Sequence, residues 1–365
     1  MSDFVTLTVN GEQFGGFKSV RIEAGIERVA RSFEVSVTDK WPGSAEEIRR
    51  IKPGDNVEVR IGDDLICTCY VDAVPVDYDA QGITVMVRGR SKTADLVDCS
   101  ADNSTGQFKG LKAEAIASKL AGQYGVNVVA QAATGAALTD HQIQQGESAF
   151  ESLDRLAKQR QVMMSDNGSG DLVILSPGSG GHARSTLELG VNILSASAGF
   201  DYSEVYSDYT VKGQNSRQGQ DSDWDATSAG LQSSHSGTAK DSSLKRRRVL
   251  VVRQSGQADS ATCQQRASTE QRVRAAKAGE IRYKIAGWRQ EDGSLWQPNQ
   301  TVDILDGIMG VDGSRLISEI IYTLDEGGMV TELVCISPDA FLSEAETKAQ
   351  ANARTKTTGT PGSSW

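Results

Sequence analysis

Two distant segments of this chain carry the same punctuation. Residues 51–88 include Pro53-Gly-Asp-Asn-Val57-Glu-Val59, then Val74-Pro-Val76-Asp-Tyr78-Asp79, then Gly82-Ile83-Thr84-Val85. Residues 296–334 include Trp296-Gln-Pro298-Asn-Gln-Thr-Val302-Asp-Ile304, then Ile320-Ile-Tyr322, then Asp325-Glu-Gly327-Gly328 and Val330-Thr-Glu-Leu333. Proline and valine are four apart in both (53 to 57, 298 to 302), and proline and glycine are 29 apart in both (53 to 82, 298 to 327). Each copy encodes a proline-led turn, an alternating strand, a long arm, a Tyr/Asp/Gly turn and a further strand. One chain therefore carries the same small β-barrel twice, and three chains would close into a ring of six similar units.

The rest of the chain fits around that repeat. Val5-Thr-Leu7-Thr-Val9 alternates and ends at Asn10-Gly11, a dipeptide suited to the positive φ angles of a tight hairpin. Phe33, Val35 and Val37 alternate with polar residues, as do Val57, Val59 and Ile61, and Ile83, Val85 and Val87. Short alternating strands with Gly, Pro and Asp between them indicate a small barrel or sandwich over 1–100. From 101 to 182 the period changes. Leu111, Ala115, Ile116 and Leu120 recur at helical spacing, with Gly125 where a helix would stop. Ser148-Ala-Phe-Glu151 has the spacing of a capping box, and Asp166-Asn-Gly168 reads as a hairpin turn. This stretch is an inserted α/β domain. A second barrel is expected from 183–213 and 279–342. Between its halves, 214–278 is read as a flexible loop, a strand and a helix (Ala261 to Ala278) packing with the α/β domain. The loop is the Ser/Gly/Asp/Gln tract from Gln214 to Leu244, which is almost without aliphatic residues. Residues 343–365 form a C-terminal tail. The fold class is mainly β (α+β): two small antiparallel β-barrels related by duplication, with the α/β domain inserted.

Bulk properties exclude several roles. A formal net charge of −10 disfavours a sequence-reading DNA binder, which would show a basic footprint. No run approaches the roughly 20 apolar residues of a membrane span, and the N-terminus has no basic-then-apolar signal pattern. Synthesis and folding in the cytosol are expected. The five cysteines are odd in number and scattered, against a disulfide framework. Cys67 and Cys69 lie in an alternating run, read as one core and one exposed thiol, both reduced.

No catalytic, cofactor-binding or metal residues emerge. There is no phosphate-cradling Gly-x-x-x-x-Gly-Lys-Ser/Thr segment, and Gly178 to Gly181 reads as a linker. His141, His182 and His235 lie in separate polar stretches and read as exposed loop residues rather than as zinc ligands. Ser233-Ser-His235-Ser236 sits in the expected flexible loop, where a nucleophile would lack a rigid base. Glu151 is the capping-box residue, and Glu147 a favourable charge near a helix start rather than half of a glycosidase pair. The one sharp basic run is Lys245-Arg246-Arg247-Arg248, read either as a solvated turn or as an inter-subunit contact.

These segments resemble a known family, the Mu-like phage baseplate hub, often called tail protein P. The first barrel's likeness is carried by Val5 to Gly11, Ile26-Glu-Arg-Val-Ala-Arg-Ser-Phe33-Glu-Val-Ser-Val-Thr-Asp39 and Pro53 to Val57; the second's by Trp296 to Val302 and Ile320 to Tyr322. The likeness departs at 214–244 and in the C-terminal tail. The resemblance implies a non-enzymatic homotrimer whose barrels form a pseudo-sixfold torus with a central channel. The tail tube and other baseplate proteins would meet one face and a trimeric cell-puncturing spike the other. DNA would be only passing cargo, and the location would be the virion tail, of a phage or a tailocin. Late-control proteins of contractile phages and type VI secretion spike hubs look similar in architecture. The rival readings are a tail-associated peptidoglycan hydrolase and a carbohydrate-binding β-protein. The first would need converging carboxylates or a metal triad. The second would need an aromatic-rich face, whereas aromatics make up only 6% of this chain.

Overall fold

The computed structural model describes residues 3–38, 51–78, 83–102, 106–160, 162–214, 235–257 and 260–341. The repeat's Gly82 turn, the stretch 215–234 of the expected loop and the tail 343–365 lie outside the described residues. The fold is mainly β.

The first segment contributes β1 (Val5–Val9), β2 (Glu12–Phe14), β3 (Ser19–Gly25), β4 (Ser32–Thr38), β5 (Asn56–Ile61), β6 (Asp64–Ala73), β7 (Val76–Tyr78) and β8 (Ile83–Ser91). Asn10 and Gly11 both take positive φ, 51° and 87°, so β1 and β2 close as the expected tight hairpin. Strand neighbours run β2-β1-β5-β6-β8-β4-β3. The alternating residues Leu7, Val57, Val59, Ile61, Val85 and Val87 form a buried face. Cys67 and Cys69 correct one expectation. They stand two apart on β6 and so share a face; both are buried, and their sulfurs are joined as a disulfide.

Next come α1 (Ala94–Asp98), β9 (Gln107–Phe108), α2 (Ala113–Ala121), β10 (Val128–Ala130), β11 (His141–Gln142), α3 (Ala149–Arg160), β12 (Met163–Asp166) and β13 (Leu172–Leu175). A sheet ordered β10-β13-β12 packs with α2 and α3 around Ile116, Leu120, Leu153, Leu156, Leu172 and Ile174. The capping box forms in both directions. The Ser148 N–H donates to the Glu151 carboxylate at 2.7 Å, and the Glu151 N–H to Ser148 Oγ at 3.1 Å. Gly125, at φ 68°, ends the α2 region in the left-handed conformation.

Strands β14 (Leu187–Glu188) and β15 (Ile193–Ala198) follow, then β16 (Asp208–Gln214), β17 (His235–Lys240), β18 (Val249–Gln257), α4 (Ser260–Lys277), β19 (Ile281–Ala286), β20 (Thr301–Asp306), β21 (Val311–Asp325) and β22 (Gly328–Ile336). Their neighbours run β20-β21-β22-β19-β15, the order of β5-β6-β8-β4-β3. One strand breaks the parallel: β14 lies parallel to β20, whereas β1 is antiparallel to β5.

No barrel closes among the described strands. The outer edge of β3 pairs with β21 rather than returning to β1 or β2, so both segments join in one 14-stranded sheet. The expected barrels are thus two stretches of a continuous open sheet.

The chain divides into two compact units. One holds the described residues up to Ser197 together with Ile281–Cys335, and the other holds those of Ala198–Glu280 with 336–341. In the second unit a sheet ordered β17-β16-β18 carries α4 on a small core of Val211, Cys263 and Ala267. Residues 235–240, read as part of a loop, are instead the strand β17. Its sequence has little apolar surface, but its backbone pairs with β16. Gly237 lies so close to α4 that a Cβ there would strike the backbone of Cys263 and Gln264. The ordering comes from its neighbours.

Candidate assembly surfaces

Sheet edges and exposed side chains are the surfaces that a mainly β chain offers, and one edge-to-edge contact lies inside the chain. Along the seam of β3 and β21, Glu319 to Leu324 pair antiparallel with Gly25 to Val20. The Ile26 N–H donates to the Ser318 carbonyl at 2.9 Å, which turns the even-numbered backbone groups of β21 toward β3. Ile320 and Tyr322 are buried there, and Arg28 bridges to Glu319 at 3.0 Å. Fully buried Trp288 steadies the β21–β22 hairpin, its indole N–H donating to the Thr323 and Val330 carbonyls at 3.2 and 3.1 Å.

Two other edges have no such cover among the described residues. β7 pairs only with β8, and β15 ends the sheet beyond β19 apart from a single bridge between Leu189 and Ile193. Val76 is 45% exposed, Tyr78 82% and Leu194 58%, values that contrast with the buried Ile320 and Tyr322 of the seam.

The basic run splits in two. Lys245, Arg246 and Arg247 are exposed. Arg248 is half-buried: its guanidinium donates to the Tyr202 and Ser203 carbonyls at 3.3 and 2.5 Å and lies 5.0 Å from the centre of the Tyr206 ring. Arg248 is therefore part of its unit's own structure, while its three neighbours are available to a partner.

The histidines do not converge. His141 is buried, not exposed as its polar surroundings suggested, because β11 carries it beneath α3, where its Nε2 meets Ser152 Oγ at 2.9 Å. Burial, with Arg155 nearby, lowers its pKa. His182 contacts Thr301 and Asp303, and His235, on β17 rather than in a loop, contacts Ser260. Glu147 accepts Arg155 at 2.7 and 3.0 Å and the Gln144 N–H at 2.8 Å, a helix-entry role. Among the described residues, no group of three or more His, Cys, Asp or Glu side chains is placed to hold a metal. Burial pushes the Cys335 thiol up to about 12.

Sequence reasoning missed the clamp that fastens the α/β elements to the first sheet. Arg31, between β3 and β4, bonds Asp166 through both its backbone N–H (3.0 Å) and its Nε (3.1 Å). Its guanidinium also donates to the Ile66 and Asp166 carbonyls at 2.6 and 2.9 Å. The pair is almost fully buried, with side-chain exposures of 8% and 1%. Asp166 carries only a turn signal in the sequence, and its partner is 135 residues away.

Comparison with known proteins accounts for most of the chain. Residues 4–91 match the family described as Mu phage baseplate assembly protein GpP-like, N-terminal. Residues 93–176 match baseplate hub protein gp44-like, second domain, and 259–344 match the fourth domain of Mu phage GpP. The baseplate hub protein gp44 of Escherichia phage Mu is 34% identical over 352 residues, covering 95% of this chain and 91% of that protein. The 43 kDa tail protein of prophage MuSo2 from Shewanella oneidensis superposes with a TM-score of 0.80 at 30% identity, over 93% of this chain and 99% of that one. A tail protein from Neisseria meningitidis MC58 shares the fold, with a TM-score of 0.75 at 21% identity over the same shares of the two chains.

Proposed function

Since the chain belongs to the Mu phage baseplate hub family of gp44 and GpP, a structural family of the phage tail, we propose that three copies close into a ring that adapts a sixfold tail tube to a threefold spike. One observation carries this reading. The strand order β5-β6-β8-β4-β3 recurs as β20-β21-β22-β19-β15 in the same chain, and the two sets are already joined edge to edge. Three chains then present six like units to the tube while keeping threefold symmetry for the spike. In this reading the repeated sheets form the torus around a central channel, and the tube and other baseplate proteins meet one face of it. The α/β domain over 101–182 and the inserted segment 214–278 are attachments to that ring. Lys245, Arg246 and Arg247 are candidates for contacts between subunits, with DNA as passing cargo.

Light scattering of the hub mixed with its tail spike tests the stoichiometry. The expected mass is that of three hubs per spike trimer; a persistent monomer or a two-to-three ratio would end the symmetry-adaptor reading.

A further inference from the structure

We propose that the ring closes by strand addition: β15 of one chain pairs antiparallel with the Val74–Tyr78 edge of the next copy, reproducing between chains the β3–β21 seam found within each chain. The proposal rests on the trimeric reading above and names the surface that makes it.

The argument is one of equivalent edges. In the second segment, β21 gives one side to β22. It pairs first with β20 (Val311 to Leu316) and then, on the side away from β22, with β3 (Glu319 to Leu324). In the first segment, β6 pairs with β5, and β7 continues beyond it along β8 with its other side unpaired among the described residues. At the opposite end of each set, β3 follows β4 and meets β21, whereas β15 follows β19 and meets no further strand among the described residues. The missing partners are therefore complementary: β7 lacks a strand like β3, and β15 lacks a strand like β21. A single chain cannot satisfy both without bending its sheet into a closed loop. A second copy placed head to tail satisfies them by repeating a contact the chain already makes.

Backbone direction agrees. The Met86 N–H donates to the Pro75 carbonyl at 2.9 Å, so Pro75 and Asp77 direct their backbone groups toward β8. Val76 and Tyr78 then direct N–H and C=O to the open edge, as Ser318 does toward β3. Proline usually protects an edge strand by removing a donor. Here the donor Pro75 lacks would have faced its own sheet, and the outward donors at 76 and 78 remain. Exposed Val76, Tyr78 and Leu194 are the apolar surface such a seam would cover.

Asp77 would occupy a non-hydrogen-bonded position across the new seam, where facing Cβ atoms lie close enough for a disulfide. The test uses the full chain, purified and in assembled tails, with Cys99→Ser to remove the half-exposed free thiol. Asp77→Cys is combined with Ser195→Cys or Ser197→Cys, two exposed positions on the same face of β15. Oxidation should give a covalent trimer that reductant dissolves, and none from either single variant. Val76→Pro deletes one outward donor without touching the β8 ladder. It should weaken self-association at least tenfold while the melting temperature of the isolated chain holds. Particles with three hubs but no covalent product from either pair, and full association of Val76→Pro, would overturn the seam and leave the trimer standing. A hub that is not three-fold even in the assembled tail would instead overturn the trimeric reading itself.

Discussion

The two sheet segments share a pairing plan and handle its connections differently. In the first, β3 passes to β4 through six residues, 26–31, and that short link carries Arg31 into the buried pair with Asp166. In the second, the strands at the same places in the order, β15 and β19, are separated in sequence by residues 199–280, most of a second compact unit. Sheet pairing depends on the strands and tolerates long insertions between them, because the entropy of closing a loop grows only slowly with its length. The arms differ as well. β21 runs unbroken for 15 residues, whereas the matching arm of the first segment shifts register between Val71 and Ala73 and is interrupted at Val74-Pro75. The unbroken arm has a partner within the chain on each side. The interrupted arm ends in an open edge, and short, bulged edges resist indiscriminate pairing.

The largest expected effect breaks the first segment's special connection. Asp166→Ala should leave the Arg31 charge buried and unpaired, destabilising the first sheet by about 3–5 kcal/mol in urea denaturation. A change under about 1 kcal/mol would mean that the clamp is not what joins the α/β elements to it. A smaller effect separates β8 from β22. Gly89 faces the Tyr70 carbonyl and the Phe33 ring at distances that leave no room for a Cβ, while β22 has no glycine after its first residue. Gly89→Ala should cost about 1–3 kcal/mol by the same measurement. An unchanged midpoint would show that the first segment does not need this close approach. The smallest effect lies in the second segment's insertion. Lys245→Glu, Arg246→Glu and Arg247→Glu together should leave the melting temperature of the chain within a degree or two, because all three side chains are exposed. If the run lies between subunits, the same triple variant should dissociate the ring at lower salt than the wild type.

Much of this comparison was legible in the residues, and unevenly so. The repeat was visible because a proline-led turn and an alternating strand are local signals, and β5 and β20 begin three residues after Pro53 and Pro298 respectively. The Asn10-Gly11 hairpin and the Ser148–Glu151 capping box also form as read, since each is settled within four residues of chain. The candidate surfaces were much less legible. Lys245 to Arg248 read as one basic run, yet the fold withdraws Arg248 into contact with Tyr206 and leaves the other three outside.

By itself, then, the sequence determined most of the strands of the two repeated segments and their apolar faces, where the tight turns fall, and that one pairing plan occurs twice. These follow from the period-two alternation of side chains and from φ preferences, which act over a few residues. Only the tertiary structure decided that the sheets join through β3 and β21 instead of closing as barrels, and that β14 runs parallel to β20. It also decided that His141 is buried, that Cys67 and Cys69 are both buried, and that the apolar-poor segment His235–Lys240 is a strand. Each of these depends on a partner distant in sequence or on the packing around it. An edge offers the same N–H and C=O groups to every strand that can reach it, so the choice of partner belongs to the whole fold.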